Sequence, residues 1–201
     1  FKYVTVLDLT QTTLNNLTDE FDEWTGGWKY GSRYEADLKV KVLFINLFYT
    51  NKDSNKLKLG ATSHSFNTSN IQLDHMEAHK VNESAKEKYF IPSNEGEDRD
   101  QYVNSLGNFM IMDEENNNNK NNKPLVFALD YYDNMSPNHW MITEVKDMLK
   151  NDEYSRRVCV GTSECYVPKE NFFVERKNRL LKYFKALLVN RTLDDTSMDI
   201  L

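Results

Sequence analysis

The sequence predicts an α+β fold that is mainly helical. Glycine and proline are scarce, at 7 and 4 of the 201 residues, which argues against a turn-rich all-β protein. Apolar residues recur at helical spacing in three long segments, whereas only short apolar runs at 71–73 and 109–112 indicate strands. A chain of 201 residues suits one domain, or one domain with a helical extension.

Amphipathic helices are predicted over 33–50, 137–150 and 170–190, and a shorter helix follows Pro124 over 124–132. The segment 170–190 has the clearest pattern. Its apolar side is expected to contain Phe173, Val174, Leu180, Leu181, Tyr183, Phe184, Leu187 and Leu188. Its basic side is expected to contain Arg176, Lys177, Arg179, Lys182 and Lys185.

The remaining segments have weaker patterns. Leu14, Leu17, Phe21 and Trp24 are at helical spacing, residues 56–70 look irregular, and 80–104 look like a long loop with room for a helical turn. The asparagine-rich stretch 113–123, taken alone, indicates a solvated loop. We therefore expect a helical segment over 1–60, a central core over 61–135, C-terminal helices over 136–190 and a frayed tail over 191–201.

Composition limits the classes of function. A formal net charge of −6 argues mildly against a protein that binds mainly by neutralising phosphates, although it allows a local basic face. The two cysteines, Cys159 and Cys165, are expected to be ordinary thiols of a cytoplasmic protein. No apolar run reaches the roughly 20 residues of a membrane span, and no signal peptide is evident. Because the chain begins at Phe1, we expect it to be a piece of a longer protein.

Four polar residues form a pattern that could carry chemistry. Asp74 and His75 follow a predicted strand, Asn108 precedes the next one, and Asn117 lies in the helix-forming region beyond it. Carboxylate and amide oxygens are the ligands that Mg²⁺ prefers, so Asp74 and Asn117 could hold such an ion. His75 has a suitable pKa for a general base, and an amide such as Asn108 could fix its tautomer.

The segments 73–76 and 106–112, with Asn117 nine residues after Asn108, resemble the HNH nuclease domain found at the C-terminus of GmrSD-type restriction endonucleases. Residues 175–181 are similar to the last helix of that family. The resemblance implies a ββα-metal core packed among helices. It also implies metal binding (Mg²⁺ or Mn²⁺) by Asp74 and Asn117, a general base at His75, and an Asn108 side chain that supports the His75 ring and the second strand.

The same resemblance implies a substrate and a setting. Members of the family cleave double-stranded DNA, often modified phage DNA, as part of longer bacterial defence proteins that act in the cytoplasm. The DNA contacts expected here are Lys123 and Arg176. Ala78 stands where the family usually has proline, and 128–130 lack the usual basic residue, for which Lys120 or Lys123 could substitute.

Two alternatives stay open at the level of the sequence. The same fold could have lost its activity and could bind DNA or a partner protein. Alternatively, the chain could be a helical interaction domain with no role in nucleic-acid binding. In that case Asp74, His75, Asn108 and Asn117 would lie far apart in the fold.

Overall fold

The structure is a computed structural model that describes residues 21, 23, 27–31, 34–53, 56–59 and 70–188. Its helices are α1 (Tyr34–Phe48), α2 (Asp100–Val103), α3 (Glu114–Lys120), α4 (Leu125–Met135), α5 (Trp140–Leu149) and α6 (Glu170–Leu188). Its strands are β1 (Thr50–Asp53), β2 (Lys56–Leu59), β3 (Ile71–His75), β4 (Phe109–Asp113), β5 (Ser155–Val160) and β6 (Ser163–Pro168). Short 3₁₀ helices cover Glu83–Lys88 and Leu106–Asn108.

The predicted α+β class with a helical majority is confirmed. The four helices expected over 33–50, 124–132, 137–150 and 170–190 are present as α1, α4, α5 and α6. The two predicted strands are present as β3 and β4. The predictions for residues 1–20, 60–69 and 189–201 lie outside the described residues.

The strands pair locally into three antiparallel sheets of two strands each within the described residues. In the first sheet Thr50 lies opposite Leu59. The prediction of irregular structure is therefore wrong for 56–59, because these residues pair with the strand that directly follows α1. The third sheet, β5–β6, is a hairpin whose turn contains Gly161 at a φ of 63°. Glycine adopts this left-handed conformation without strain.

The asparagine-rich stretch is a helix over most of its length, so the expectation of a solvated loop is wrong for 114–120. The Asp113 side chain caps α3 by accepting a hydrogen bond from the Asn116 backbone N–H (2.8 Å). Glu114 and Glu115 occupy the first turn, where negative charge interacts favourably with the helix dipole. The acidic run before the asparagines was the signal for this helix.

A single cluster of buried apolar side chains joins the helices to the central sheet. The rings of Phe44 on α1 and Phe184 on α6 pack edge to face, with centroids 5.2 Å apart. Phe109, Ile111 and their neighbours on β4 are fully buried in the same cluster. The β3–β4 sheet is thus held from several sides. Among the described helices, none is long and apolar enough to cross a membrane.

Helix α6 packs directly against the turn that precedes β4. A Cβ atom added at Gly107 would lie 1.9 Å from the Phe173 carbonyl oxygen, so no side chain fits there. The buried side of α6 differs in part from the predicted apolar side. Val174 is 50% exposed, while Arg176 and Lys185 of the predicted basic side are buried.

Candidate functional site

The central sheet and α3 bring the predicted site residues to one place. In the β3–β4 register, Asp74 lies opposite Met110 and His75 lies opposite Phe109, the first residue of β4. Helix α3 begins directly after β4 and carries Asn117 back towards the end of β3. Asp74, His75 and Asn117 line one pocket of about 440 Å³. These three residues therefore do not lie far apart, as they would in a helical interaction domain, but Asn108 does not line the pocket with them.

The Asp74 carboxylate is buried, and both of its oxygens accept hydrogen bonds. The Lys120 Nζ atom donates to Oδ1 at 3.1 Å, and the Tyr132 hydroxyl donates to Oδ2. Burial raises the pKa of the Asp74 carboxyl, and the charge of Lys120 is the largest influence that opposes this rise. Burial and the neighbouring carboxylate raise the pKa of Tyr132 well above its usual value, so the phenol remains a donor at neutral pH.

Lys120 ends α3, and its side chain reaches under the end of β3. Its ammonium donates to the His75 carbonyl oxygen at 2.7 Å and to the Asn121 carbonyl oxygen at 3.5 Å, in addition to Asp74. Only 2% of the residue is exposed. A buried lysine is rare unless it is paired, and here an ion pair and two carbonyl oxygens satisfy its charge.

The His75 ring is held by one hydrogen bond and by two aromatic rings. Its Nε2 atom lies 3.0 Å from the Asn104 Oδ1 atom. The rings of Phe109 and Tyr30 pack against it at centroid distances of 4.3 and 4.9 Å. Because Oδ1 can only accept, Nε2 carries the proton and Nδ1 of the neutral ring carries the lone pair. Burial lowers the pKa of His75 to about 4, so the ring is neutral at pH 7.

Asn108 does not support the His75 ring, and this part of the prediction is wrong. Its Oδ1 accepts from the Glu77 backbone N–H at 2.8 Å, and its Nδ2 donates to the Glu77 and Val103 carbonyl oxygens at 2.8 and 2.9 Å. The side chain therefore closes the loop 76–108 just before β4. The ring is oriented instead by Asn104, at the end of the segment 80–104 for which the sequence predicts a long loop with room for a helical turn.

The fully buried Glu77 pairs with the half-buried Arg99, a pair that the sequence did not predict. The Glu77 carboxylate accepts from the backbone N–H groups of Phe90 and Leu125 at 3.0 and 2.8 Å and from Arg99 at 3.3 Å. The Arg99 guanidinium also donates to the carbonyl oxygens of Ala78, His79 and Phe90. These contacts fix the loop that follows His75. Neither residue shows a recognisable local pattern.

Asn117 lines the pocket, but the hydrogen bond of its side chain is with Gln72 and not with Asp74. Its Nδ2 atom donates to the Oε1 atom of Gln72, two residues before Asp74 on β3. The rest of the pocket is lined by Ala78, His79, Asn118, Lys120, Asn121 and Asn122. The His79 ring lies 5.9 Å from the His75 ring and pairs with Asp100 at 3.4 Å.

The two predicted DNA contacts differ in their surroundings. Lys123 donates to the Asn119 and Lys120 carbonyl oxygens at 2.6 and 3.3 Å and lies over the Tyr131 ring. The prediction for Arg176 is wrong, because only 3% of the residue is exposed. Its Nη1 atom donates to the Gly107 carbonyl oxygen at 2.7 Å. Arg176 joins α6 to the turn before β4, where no phosphate can reach it.

The residues do not fit a divalent ion in this arrangement. The Asp74 oxygens are engaged by Lys120 and Tyr132, and the Asn117 side chain faces Gln72. In the part of the chain that the structure describes, no group of three or more His, Cys, Asp or Glu side chains could hold a metal ion. Mg²⁺ also demands near-octahedral geometry and several bound waters. Binding at Asp74 would require Lys120 to leave.

Comparison of the chain with family models, with curated proteins and with solved structures finds no match. The resemblance to HNH nucleases therefore rests on the motif residues themselves. Membership of the HNH family stays a prediction, and the function of the pocket is inferred from the geometry of its residues.

Proposed function

We propose that the pocket at Asp74, His75 and Asn117 is a phosphodiester-cleaving site and that the chain is a DNA endonuclease domain of the HNH type. One observation carries the proposal. The end of β3, the start of β4 and the helix that follows β4 place these three residues on a single polar pocket. This is the strand–loop–strand–helix order that the motif predicts for a ββα core.

His75 has the properties of a general base in this proposal. Its Nε2 proton is bonded to Asn104, so the lone pair of Nδ1 can accept a proton from an attacking water. The lowered pKa keeps the ring neutral at pH 7 and thus ready to accept. The cost is a weaker base, because proton transfer is most efficient when the pKa of the base is close to the working pH.

The resemblance also implies a Mg²⁺ or Mn²⁺ ion, which would stabilise charge on the scissile phosphate and on the leaving oxygen. Asp74 and Asn117 have other partners in the structure, so they do not present a site for such an ion. The proposed substrate is double-stranded DNA, including modified phage DNA. The proposed setting is a bacterial defence protein in the cytoplasm, with further domains in a longer parent chain.

The test is nicking of supercoiled plasmid and of modified phage DNA in Mg²⁺, in Mn²⁺ and in EDTA. We expect wild-type nicking that His75→Ala reduces at least about 100-fold, the low end for loss of a general base. His79→Ala is the matched control, since it removes the other histidine of the pocket. Nicking that survives equally in both variants would place the chemistry elsewhere.

A second candidate is an inactive HNH-like module that binds DNA or a partner protein. It is favoured by the Asp74–Lys120 pair, which neutralises the only carboxylate lining the pocket, among the described residues. Wild-type protein that binds DNA but does not nick it in any of the three conditions would support this candidate and contradict the endonuclease.

A further inference from the structure

The Lys120 ammonium pairs with the Asp74 carboxylate, which a metal-dependent enzyme would need to keep free for its ion. The ammonium lies 3.1 Å from the Asp74 Oδ1 atom and 2.7 Å from the His75 carbonyl oxygen. The side chain is almost fully buried. Both of its closest partners belong to the last two residues of β3, so the lysine depends on the same strand end that carries the site.

The remaining partners of the site agree with a resident ammonium. Tyr132 donates to the second Asp74 oxygen, and the Asn117 side chain points to Gln72. Each of these polar groups therefore has a partner without any ion. A site arranged for a metal would instead leave carboxylate and amide oxygens directed at a common point.

A divalent ion at Asp74 would be repelled by this lysine. An ion bound to Oδ1 at the usual distance of about 2.1 Å would lie within about 5 Å of Nζ, given the Nζ–Oδ1 distance of 3.1 Å. Like charges this close repel, and water screens them less here than at the surface because Asp74 and Lys120 are both buried. The two cations therefore compete for one carboxylate.

We propose that the Lys120 ammonium is the resident cation of the Asp74 pocket and that it excludes a divalent ion from the Asp74 carboxylate. The inference rests on the proposed site but not on its cleavage chemistry. It deepens the proposed function by assigning the cation of that site to the protein chain itself. Removal of the ammonium leaves the carboxylate with the Tyr132 hydroxyl and the His75 backbone N–H, and it opens the position to a metal.

The experiment measures Mn²⁺ binding to the whole 201-residue chain by electron paramagnetic resonance of the free ion. We expect no stoichiometric site in the wild type. Lys120→Met retains an unbranched side chain of similar size but removes the ammonium. The variant should bind one equivalent at least about ten-fold more tightly than the wild type, because the repulsion is gone. The added site should disappear in Lys120→Met combined with Asp74→Asn.

Lys150→Met is the matched control. Lys150 pairs with Asp147 at 2.8 Å on the exposed surface, so its removal also frees a carboxylate but not in the pocket. We expect no tight site in this variant. If Lys120→Met does not unfold cooperatively, Lys120→Gln replaces it. The wild type is then also compared with Asp74→Asn.

Two results would overturn the inference. One is a wild-type protein that binds one equivalent of Mn²⁺ and loses it in Asp74→Asn. The other is a folded Lys120 variant that gains no site. Because the readout is metal binding, it is independent of nicking. A protein that never cleaves DNA would contradict the proposed function and leave the assignment of Lys120 intact.

Discussion

At the scale of single residues, the Asn108 side chain stabilises the fold and does not orient the His75 ring. Its amide makes three buried hydrogen bonds to the backbone at both ends of the loop 76–108. A general expectation for motif asparagines is a catalytic or ligand role. Here the amide closes the loop 76–108 that follows His75, and Asn104 orients the His75 ring.

Asn108→Ala should therefore destabilise the protein. The loss of three net hydrogen bonds corresponds to about 3 kcal/mol in the free energy of unfolding, and buried backbone groups are left without partners. Asn118→Ala is the control, because Asn118 is an exposed residue of α3 in the same pocket wall. Urea unfolding of both variants measures the difference. Equal stabilities would show that loop 76–108 does not depend on Asn108.

The lowered pKa of His75 predicts a pH dependence of stability. The folded protein protonates this ring only near pH 4, whereas the unfolded chain does so near its usual 6.5. Between these values the unfolded chain binds the extra proton, so stability falls as the pH drops from about 6.5 to about 4. Above that window the effect is absent, because the ring is neutral in both states.

The size of the His75 effect follows from the shift. At about 1.4 kcal/mol per pKa unit, the loss between pH 7 and pH 4 approaches 3 kcal/mol. Urea unfolding of the wild type and of His75→Gln across this window isolates the contribution of the ring, since the carboxylates titrate in both proteins. A stability difference that does not change with pH would contradict the burial of the ring.

At the scale of elements, the four longer helices were predictable, whereas the short helices α2 and α3 and two of the three sheets were not. Apolar periodicity over 10 or more residues identified α1, α5 and α6. By contrast, β1 and β2 contain only four residues each, and the alternation of lysines in 56–59 looks the same in a loop. Strand pairing depends on contacts between segments, so short polar strands carry little local signal.

The boundary between α6 and the turn before β4 gives a prediction about packing. In Gly107→Ala, the new Cβ would meet the Phe173 carbonyl oxygen at 1.9 Å, and two backbone segments would have to move apart. We expect the free energy of unfolding to fall by about 1–3 kcal/mol, which is the usual effect of overpacking a core. Because α6 and the turn position Asn108, the His75 site should be disturbed as well.

Gly27→Ala is the control for this change, because a Cβ atom at Gly27 meets nothing within 4 Å. Thermal unfolding of the two variants provides the comparison. A Gly107→Ala protein as stable as Gly27→Ala would mean that α6 does not press on the turn as closely as the structure shows.

At the scale of the whole molecule, charge limits how the proposed nuclease could contact DNA. The formal net charge is −6, and burial removes Arg176 from the surface that could contact phosphates. In the proposed nuclease, DNA binding would have to come from a local group of cations near the pocket. Of the two predicted contacts, Lys123 remains, although its ammonium is bonded to carbonyl oxygens at the end of α3.

If Lys123 contacts a phosphate, Lys123→Gln should weaken DNA binding equally across sequences. It should also reduce the slope of log K against log[salt] by about 1, because one fewer counterion is released. Lys150→Gln is the control, since Lys150 is exposed and pairs with Asp147. Fluorescence anisotropy with a labelled duplex over a range of salt concentrations measures both slopes. Identical slopes would remove Lys123 from the interface.

The sequence alone determined the mainly helical class, the positions of four helices and two strands, and the three residues that meet at the pocket. Those features follow from local periodicity and from the order of polar residues along the chain. Only the tertiary structure decided that Lys120 pairs with Asp74, that Arg176 is buried, and that Asn104 rather than Asn108 holds the His75 ring. Each depends on contacts between distant segments and on burial, because a charge that is solvated in an isolated helix acquires its partner only when the chain packs.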